Sequence, residues 1–297
     1  MPDLKSELNP RLVERLACPV CGAPMRVTPS GQSLSCSAQN PTGRVHVFDG
    51  SADGYVHLAP AHGGGGDSKE AVRARSAFLS RGYYAPAANA LTALVRELTP
   101  MGGLVLDAGC GEGYYSNQIA EAGFPTLGVD LSKFAAGAAS KAARAARRAK
   151  GDAASATLFA VGSVFALPVR DESFDTVVNV FAPCAPAEYA RVLKKGGYLI
   201  VAGAGERHLL GLKRLVYDDP YLNDPRRDLP TEEEGLRRVD LHSETFFVSV
   251  EGQAYVEALF SMTPYYWRTS RGGHERVSSA TTLDTEVSFD FHVYKKI

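Results

Sequence analysis

The stretch LDAGCGEGYYS, residues 106–116, carries three glycines within five positions, directly after an apolar run that ends in an aspartate. Glycine has no side chain, so a ligand can approach the backbone closely where glycines alternate. The segment that follows has a helical pattern, and free N–H groups at a helix start bind carboxylates or phosphates. We therefore predict that Gly109, Gly111 and Gly113 form a ligand-binding turn between a strand and a helix.

From residue 103 onward, strand and helix patterns alternate along the chain. Nearly continuous apolar strands separated by helices are typical of a parallel sheet that is covered on both faces. The last two strand patterns, ETFFVSV and VSFDFHVYKK, alternate like antiparallel strands at a sheet edge. The predicted fold class is α/β, with a Rossmann-like sheet that is parallel apart from an antiparallel edge.

A second carboxylate narrows the choice of ligand. Asp130 ends the next strand, 17 residues after Gly113, where it can accept both hydroxyls of a ribose. A dinucleotide and S-adenosylmethionine both fit this pair, but the G-x-G-x-G spacing favours the second. Asp107, directly before the loop, would repel a pyrophosphate yet accept a hydrogen bond from an amino-acid ammonium group. In addition, residues 167–201 resemble the fourth and fifth strand region of class I methyltransferases.

Clustered cysteines near the start indicate a metal site. Three of the five cysteines are close in sequence: Cys18, Cys21 and Cys36. With one imidazole they would complete a closed tetrahedral zinc site, which leaves no position for water and is therefore structural. The sequence alone leaves three candidates for the fourth ligand: His46, His57 and His62. Three structural or redox cysteines remain the alternative interpretation.

Composition and domain organisation are those of a globular protein. The 297 residues carry a formal net charge of −1, so any nucleic-acid surface has to be a local patch. No apolar run approaches the roughly 18 residues of a membrane span, and no secretory signal is recognised, so we expect a cytoplasmic protein. We predict three regions: a zinc-binding module over 1–60, a linker with the glycine run 63–66 and helices over 61–100, and the catalytic domain over 101–297.

Several motifs together resemble one family. CPVCG, HVFD and DGYVHL are followed in order by RARSAFLSRGYYAP, LDAGCGEGYYS, NVFAPC, RHLLGLKRLVY and MTPYYWR. This order resembles the bacterial 23S rRNA (guanine-N1)-methyltransferases, which methylate a guanine in an rRNA hairpin loop. The resemblance covers nearly the whole chain. It implies S-adenosylmethionine as cofactor, 23S rRNA as partner and a methyltransferase domain after the zinc module.

The resemblance also assigns site residues. It makes His46 the fourth zinc ligand beside the three cysteines, because it stands in the HVFD match. It places the cofactor at Tyr84, Gly111, Glu112 and His208. Around the same cofactor we expect the loop glycines, the two aspartates and three residues that follow strand ends: Leu131, Ser163 and Val164.

The expected chemistry suggests further candidates. Guanine N1 carries a proton, so methylation needs a base or a donor that stabilises the charge on O6. We predict that Asn179 orients the base edge and that Glu188 or His208 accepts the proton; the sequence does not choose between the last two. Cys184 is expected to be non-nucleophilic, since an N1 acceptor needs no covalent intermediate.

Contacts to RNA require basic side chains for phosphates and aromatic rings for bases. The predicted phosphate contacts are Arg73, Arg75 and Arg81. The predicted stacking residues are Tyr266 and Trp267. For the aromatic pair, core packing is the alternative.

Two other function classes remain at this stage. A small-molecule methyltransferase would share the fold and both aspartates, and a zinc-containing RNA-binding protein without catalysis would share the first module. A homodimer is also compatible with the sequence.

Overall fold

The first described elements form a small sheet around the cysteine cluster. The computed structural model describes residues 8–37, 43–59, 65–150, 156–224 and 229–297. A short helix and three strands come first: α1 (Pro10–Val13), β1 (Met25–Val27), β2 (Ser33–Cys36) and β3 (Val47–Asp49). The strands pair antiparallel in the order β1-β2-β3. This arrangement brings the end of β2 next to the residues just before β3, through the Cys36 N–H that donates to the His46 carbonyl oxygen.

The centre of the molecule is an eight-stranded mixed sheet with the order β10-β11-β9-β8-β5-β6-β7-β4. Its strands are β4 (Val56–His57), β5 (Val105–Ala108), β6 (Thr126–Asp130), β7 (Thr157–Val161), β8 (Phe174–Val180), β9 (Leu193–Ala204), β10 (Leu236–Glu251) and β11 (Thr282–Lys296). Strands β4 to β9 pair parallel, and β11 pairs antiparallel with both β9 and β10. The predicted α/β class with an antiparallel edge is confirmed.

Helices cover both faces of this sheet. They are α2 (Lys69–Leu79), α3 (Ala85–Leu98), α4 (Tyr114–Glu121), α5 (Lys133–Lys150), α6 (Pro186–Val192), α7 (Leu210–Val216), α8 (Gln253–Ser261) and α9 (Arg271–Ser279), with 3-10 turns over Glu232–Glu234 and Pro264–Trp267. The Ser68 side chain caps α2 by accepting from the Ala71 N–H, and Pro86 occupies the first turn of α3. Strands β5 and β7 are buried along their full length, as a sheet covered on both faces requires.

The cysteine module shares its core with the large sheet. Leu12 and Leu34 belong to the same buried cluster as Leu127 of β6. The GYVHL segment, predicted as part of the separate module, supplies β4, which extends the large sheet beside β7. The division of the chain at residue 60 stays a prediction.

The basic helix α5 also holds the module in place. Lys141 pairs with Asp53 at 3.1 Å, and Arg144 donates to the Ala52 carbonyl oxygen at 2.9 Å. Two of the basic side chains of α5 therefore contact protein. Across the described ranges, no helix is both long and apolar enough to span a bilayer.

We predict that substitution of Gly128 in β6 destabilises the sheet. An added Cβ would lie 2.5 Å from the Phe159 ring and 2.8 Å from the Cys110 sulfur, both in buried positions. Overpacking of this kind costs about 1–3 kcal/mol, so Gly128→Ala should lower the free energy of unfolding by that amount in urea titrations. Gly203→Ala in β9, where nothing lies within 4 Å, is the matched control. Equal stability of the two variants would contradict this packing.

Candidate functional site

The glycine loop lies between the end of β5 and the start of α4. Gly109, Gly111 and Gly113 have φ angles of +87°, +53° and +76°, in the left-handed region that favours glycine. A Cβ on Gly109 would collide with Ala182, and one on Gly113 would lie 2.7 Å from the Ala139 Cβ. The loop therefore packs against the end of β8 and the start of α5, with its middle glycine between them.

Asp107 lies beneath this loop and is almost fully buried. Its carboxylate accepts a hydrogen bond from the Ser116 hydroxyl of α4. Burial, with a contribution from the negative charges of Asp130 and Glu112, raises the pKa of Asp107 to about 7. A cation bound over the loop would favour the ionised form.

Asp130 stands at the end of β6 on the other side of the loop. Its Oδ2 accepts from the Gly111 N–H at 2.9 Å and its Oδ1 from the Ser132 N–H at 2.8 Å. Burial raises the pKa of Asp130, while these amides and Arg75 oppose the shift. The Gly162 N–H donates to the Asp130 carbonyl oxygen at 2.9 Å. This bond places Ser163 and Val164, which follow directly, at the same edge as the carboxylate.

The described end of the glycine run packs onto this edge. A Cβ on Gly65 would lie 2.9 Å from the Leu131 side chain, and one on Gly66 would lie 2.6 Å from the Ser132 nitrogen. The Ser132 hydroxyl donates to the Asp67 carbonyl oxygen at 2.7 Å. Residues 65–67 thus cover the strand end, whereas Gly63 and Gly64 of the run lie outside the described residues.

Arg75 lies over the glycine loop. Its Nε pairs with Glu112 and its Nη1 with Asp67, each at 2.5 Å, and its side chain is 21% exposed. Burial lowers the pKa of Arg75, but the two carboxylates outweigh burial and raise it above its usual value. Arg75 is thus held by two carboxylates beside the glycine loop, and its predicted phosphate contact stays a prediction.

Next to the loop, aromatic rings line the carboxyl end of β8. The Phe181 ring lies 5.3 Å from the His208 ring and 4.9 Å from the Phe289 ring, while Tyr84 lies 5.3 Å from Phe289. Phe181 is 48% exposed and has a φ of +50°, a strained conformation for this residue. A strained, half-exposed aromatic residue beside a ligand loop is suited to contact a planar group.

The surroundings of His208 fix its tautomer. Its Nδ1 accepts the Ser288 backbone N–H at 3.2 Å, so in the neutral ring the proton is on Nε2. Burial, helped by the positive charge of Lys213, lowers the pKa of His208 to about 3. The ring is therefore a hydrogen-bond donor at neutral pH and a weak base.

Asn179 and Glu188 are each held by protein contacts. The Asn179 Nδ2 donates to the Ala108 carbonyl oxygen at 2.9 Å and to the Tyr189 hydroxyl oxygen at 3.0 Å. Glu188 accepts from Arg191 and from the Leu167 N–H.

These contacts leave Glu188 a weak base. Burial raises its pKa, but the hydrogen bonds outweigh it and the pKa lies below its usual value. Within the described ranges, no hydrogen bond or ring contact joins the three predicted catalytic side chains: Asn179, Glu188 and His208.

The predicted metal ligands lie together. One ligand atom from each of Cys18, Cys21, Cys36 and His46 falls within 4.8 Å of the others, so this cluster could hold a metal ion. The His46 Nδ1 lies 3.6 Å from the Cys18 sulfur and 3.5 Å from the Cys36 sulfur. His57 lies on β4 outside this cluster, and His62 is not among the described residues.

The other predicted RNA contacts lie on α2 and around α8. Arg73 is exposed on α2. Arg81 stacks over the Tyr255 ring at 5.2 Å.

The two predicted stacking residues differ in exposure. Tyr266 packs against Phe260 and His274, whereas Trp267 is 84% exposed. Trp267 therefore has the geometry of a stacking surface, while Tyr266 belongs to the local packing.

Known proteins resemble this chain in sequence. Residues 106–201 match the family described as Methyltransferase domain. A Bacillus subtilis protein, YxjB, is 30% identical over 94% of this chain and 96% of its own length, and is named provisionally as a 23S rRNA (guanine-N(1)-)-methyltransferase. A Streptomyces fradiae protein named 23S rRNA (guanine(748)-N(1))-methyltransferase is 34% identical over 69% of each chain.

The chain belongs to the 23S rRNA (guanine-N1)-methyltransferase family. As a methyltransferase of this family it depends on S-adenosylmethionine, which confirms the predicted enzyme class. The residues present fit this cofactor, because the glycines leave the loop backbone without side chains and carboxylates flank the loop on both sides. Among solved structures, YcgJ of Bacillus subtilis covers 70% of this chain and 98% of its own, at 15% identity and a TM-score of 0.49.

Some residues of the methyltransferase site were missed from the sequence. Ser116 follows the loop by three residues and was within reach of a pattern search, since it lies on the first turn of α4. Asp67 and Ser132 meet in a contact between segments that are 65 residues apart in the sequence, so neither residue carries a local sequence signal.

We predict that cofactor affinity depends on pH through Asp107. Its raised pKa keeps the carboxyl largely neutral below pH 7 in the unliganded enzyme, whereas a cationic cofactor favours the ionised form. Binding should therefore release a proton, and affinity for S-adenosylmethionine should fall about tenfold from pH 8 to pH 6. Isothermal titration in two buffers of different ionisation enthalpy measures both effects. Asp107→Asn should abolish the pH dependence; proton uptake by the wild type would contradict the assignment.

Proposed function

We propose that this enzyme methylates N1 of a guanine in 23S rRNA, with S-adenosylmethionine as methyl donor. The observation that carries the proposal is the half-exposed Phe181 ring, which lies against the buried His208 ring directly beside the carboxylate-flanked glycine loop. Gly109 of the loop packs on Ala182, one residue after Phe181. A planar base stacked on Phe181 would thus lie beside the cofactor loop.

The cofactor, when bound, supplies an electrophilic methyl group on a sulfonium. The chain supplies position and charge stabilisation. Asn179 ties the residues after β8 to the end of β5, through the Pro183 and Ala108 carbonyl oxygens, and thereby shapes the base pocket. His208 donates its Nε2 proton to guanine O6, where negative charge develops as N1 loses its proton. Since Glu188 and His208 are both weak bases here, we infer that the N1 proton leaves to solvent.

Cells with and without the gene provide the test of this function. Mass mapping of 23S rRNA should show one methylguanine in cells with the gene and its loss in cells without the gene. The purified enzyme should restore this methylguanine on the unmodified rRNA. An unchanged map, with no methylation in vitro, would remove the rRNA assignment. Methylation of a small molecule by the purified protein, without RNA, would favour the small-molecule class instead.

We predict that His208 acts as a donor rather than as a base. Because burial and the positive charge of Lys213 keep the ring neutral, NMR should find that the His208 ring does not titrate between pH 5 and pH 8. His208→Ala should lower kcat about 10²-fold, the loss measured when one oxyanion donor is removed, whereas His208→Asn should retain part of the activity. A measured pKa of 6 to 7 for this ring would restore the base role.

For the cysteine cluster we propose a structural zinc ion. With bond lengths of about 2.3 Å to sulfur and about 2.05 Å to nitrogen, a tetrahedral zinc site sets sulfur and nitrogen about 3.6 Å apart. The two sulfur distances of His46 Nδ1, 3.6 and 3.5 Å, agree with this value. The backbone N–H of His46 also donates to the Cys36 sulfur at 3.1 Å, an orienting contact typical of metal thiolates.

We predict one zinc ion per chain in the purified protein, measured by elemental analysis. Cys36→Ala removes one ligand, so this variant should lose the metal. Because the module shares its core with the large sheet, the melting temperature of the variant should also fall. Cys184→Ala, outside the cluster, is the control and should keep the zinc. A metal content near zero in folded wild-type protein would contradict the assignment.

RNA would approach across α2 and the exposed Trp267. Arg73, Arg81 and Trp267 remain the candidates for this contact. Trp267 is the single tryptophan of the chain, so quenching of its fluorescence by an rRNA hairpin would report stacking, and unchanged emission would exclude it. An enzyme that acts on ribosomal RNA belongs in the cytoplasm, and a homodimer stays a prediction that light scattering can test.

A further inference from the structure

The ion cluster of Asp67, Arg75 and Glu112 has a feature that ion pairing alone does not explain. Two of the three guanidinium nitrogens of Arg75 are used: Nε by Glu112 and Nη1 by Asp67. Within the described part of the chain, Nη2 makes no hydrogen bond. The same Nη2 would lie 3.1 Å from a Cβ on Gly111. It therefore presents N–H groups to the space directly above the middle glycine of the loop.

The two ion pairs hold this orientation. Glu112 is fixed as the residue between two loop glycines, and its side chain is only 10% exposed. Asp67 is anchored from the other side, because its carbonyl oxygen accepts the Ser132 hydroxyl. A guanidinium held at two nitrogens by two anchored carboxylates cannot rotate freely, so the third nitrogen is preorganised.

Charge limits what Arg75 can bind there. Asp107, Glu112 and Asp130 surround the loop, and burial raises the pKa of each. Neighbouring carboxylates add to the shift: Asp130 and Glu112 at Asp107, Asp130 at Glu112, and Asp67 at Asp130. Arg75 is the cation that opposes these shifts at Glu112 and Asp130. The ammonium and sulfonium groups of the cofactor match the carboxylates. Its α-carboxylate would be repelled everywhere around the loop except beside Arg75.

We propose that Arg75 binds the α-carboxylate of S-adenosylmethionine through Nη2 and so selects ligands with an intact amino-acid end. The inference rests on the proposed cofactor site and adds a specificity residue to it. The proposal also gives a role to the ion pairs of Arg75 with Asp67 and Glu112, since these pairs position Arg75 before the ligand binds.

Isothermal titration with two compounds tests the proposal. S-adenosylhomocysteine carries the carboxylate, and S-adenosyl-3-thiopropylamine is the same molecule without it. The wild type should bind S-adenosylhomocysteine about 10- to 100-fold more tightly than the amine, because one charge-assisted hydrogen bond contributes about that much affinity. Arg75→Gln should remove this preference by weakening only the carboxylate compound. Arg96→Gln on α3, an exposed arginine, is the matched control and should keep it.

The outcomes separate this proposal from the cofactor assignment. A wild type that binds S-adenosylhomocysteine with no preference, or an Arg75→Gln variant that keeps the preference, overturns the role of Arg75 alone. A folded wild type that binds neither compound overturns the cofactor site and this inference with it. Arg75→Lys, which keeps the charge but cannot make all three contacts, is the second variant if Arg75→Gln does not fold. Its preference should fall at least about threefold, and an unchanged preference would also contradict the proposal.

Discussion

Crowding of carboxylates around one glycine loop is the constraint on which the rest of this enzyme depends. Asp107 and Asp130 end two neighbouring parallel strands, so the sheet itself brings them to one edge. Glu112 stands inside the loop between them. Buried like charges are costly unless a cation is present, and Arg75 is the cation that opposes the raised pKa values of Glu112 and Asp130. The site is therefore electrostatically incomplete without a positively charged ligand, which is the property expected of a site for a sulfonium cofactor.

The pattern of apolar strands and the glycine loop made the fold predictable. Runs such as residues 157–161 are buried on both faces, and this burial is what a continuous apolar pattern encodes. The two-residue strand β4 was not predictable as part of the large sheet, because pairing with β7, about 100 residues away, decides its place. The clustering of Cys18, Cys21 and Cys36 was predictable from their local spacing, whereas only the family resemblance selected His46 as their neighbour. The ion pairs of Arg75 could not be predicted from its charge alone, since tertiary structure brings its partners Asp67 and Glu112 to it.

Buried surroundings also decide the chemistry of residues that the sequence can only nominate. By residue type, His208 and Glu188 are both reasonable general bases. In the folded chain, Ser288, 80 residues away, occupies one nitrogen of His208, and Arg191 neutralises Glu188. Both side chains are therefore weak bases in the fold, and a donor role for His208 is the proposal that this environment supports. The cysteine module packs into a core that it shares with the large sheet. The rings of Phe181 and His208 lie outside this module, beside the glycine loop.

A crystal structure of the enzyme with S-adenosylhomocysteine would show whether the carboxylate-flanked loop is the cofactor site. We expect ribose hydroxyls bonded to Asp130, the amino-acid end over Gly109 to Gly113, and the sulfur facing the rings of Phe181 and His208. A ligand that binds elsewhere at saturation, or whose sulfur faces away from these rings, would contradict this expectation.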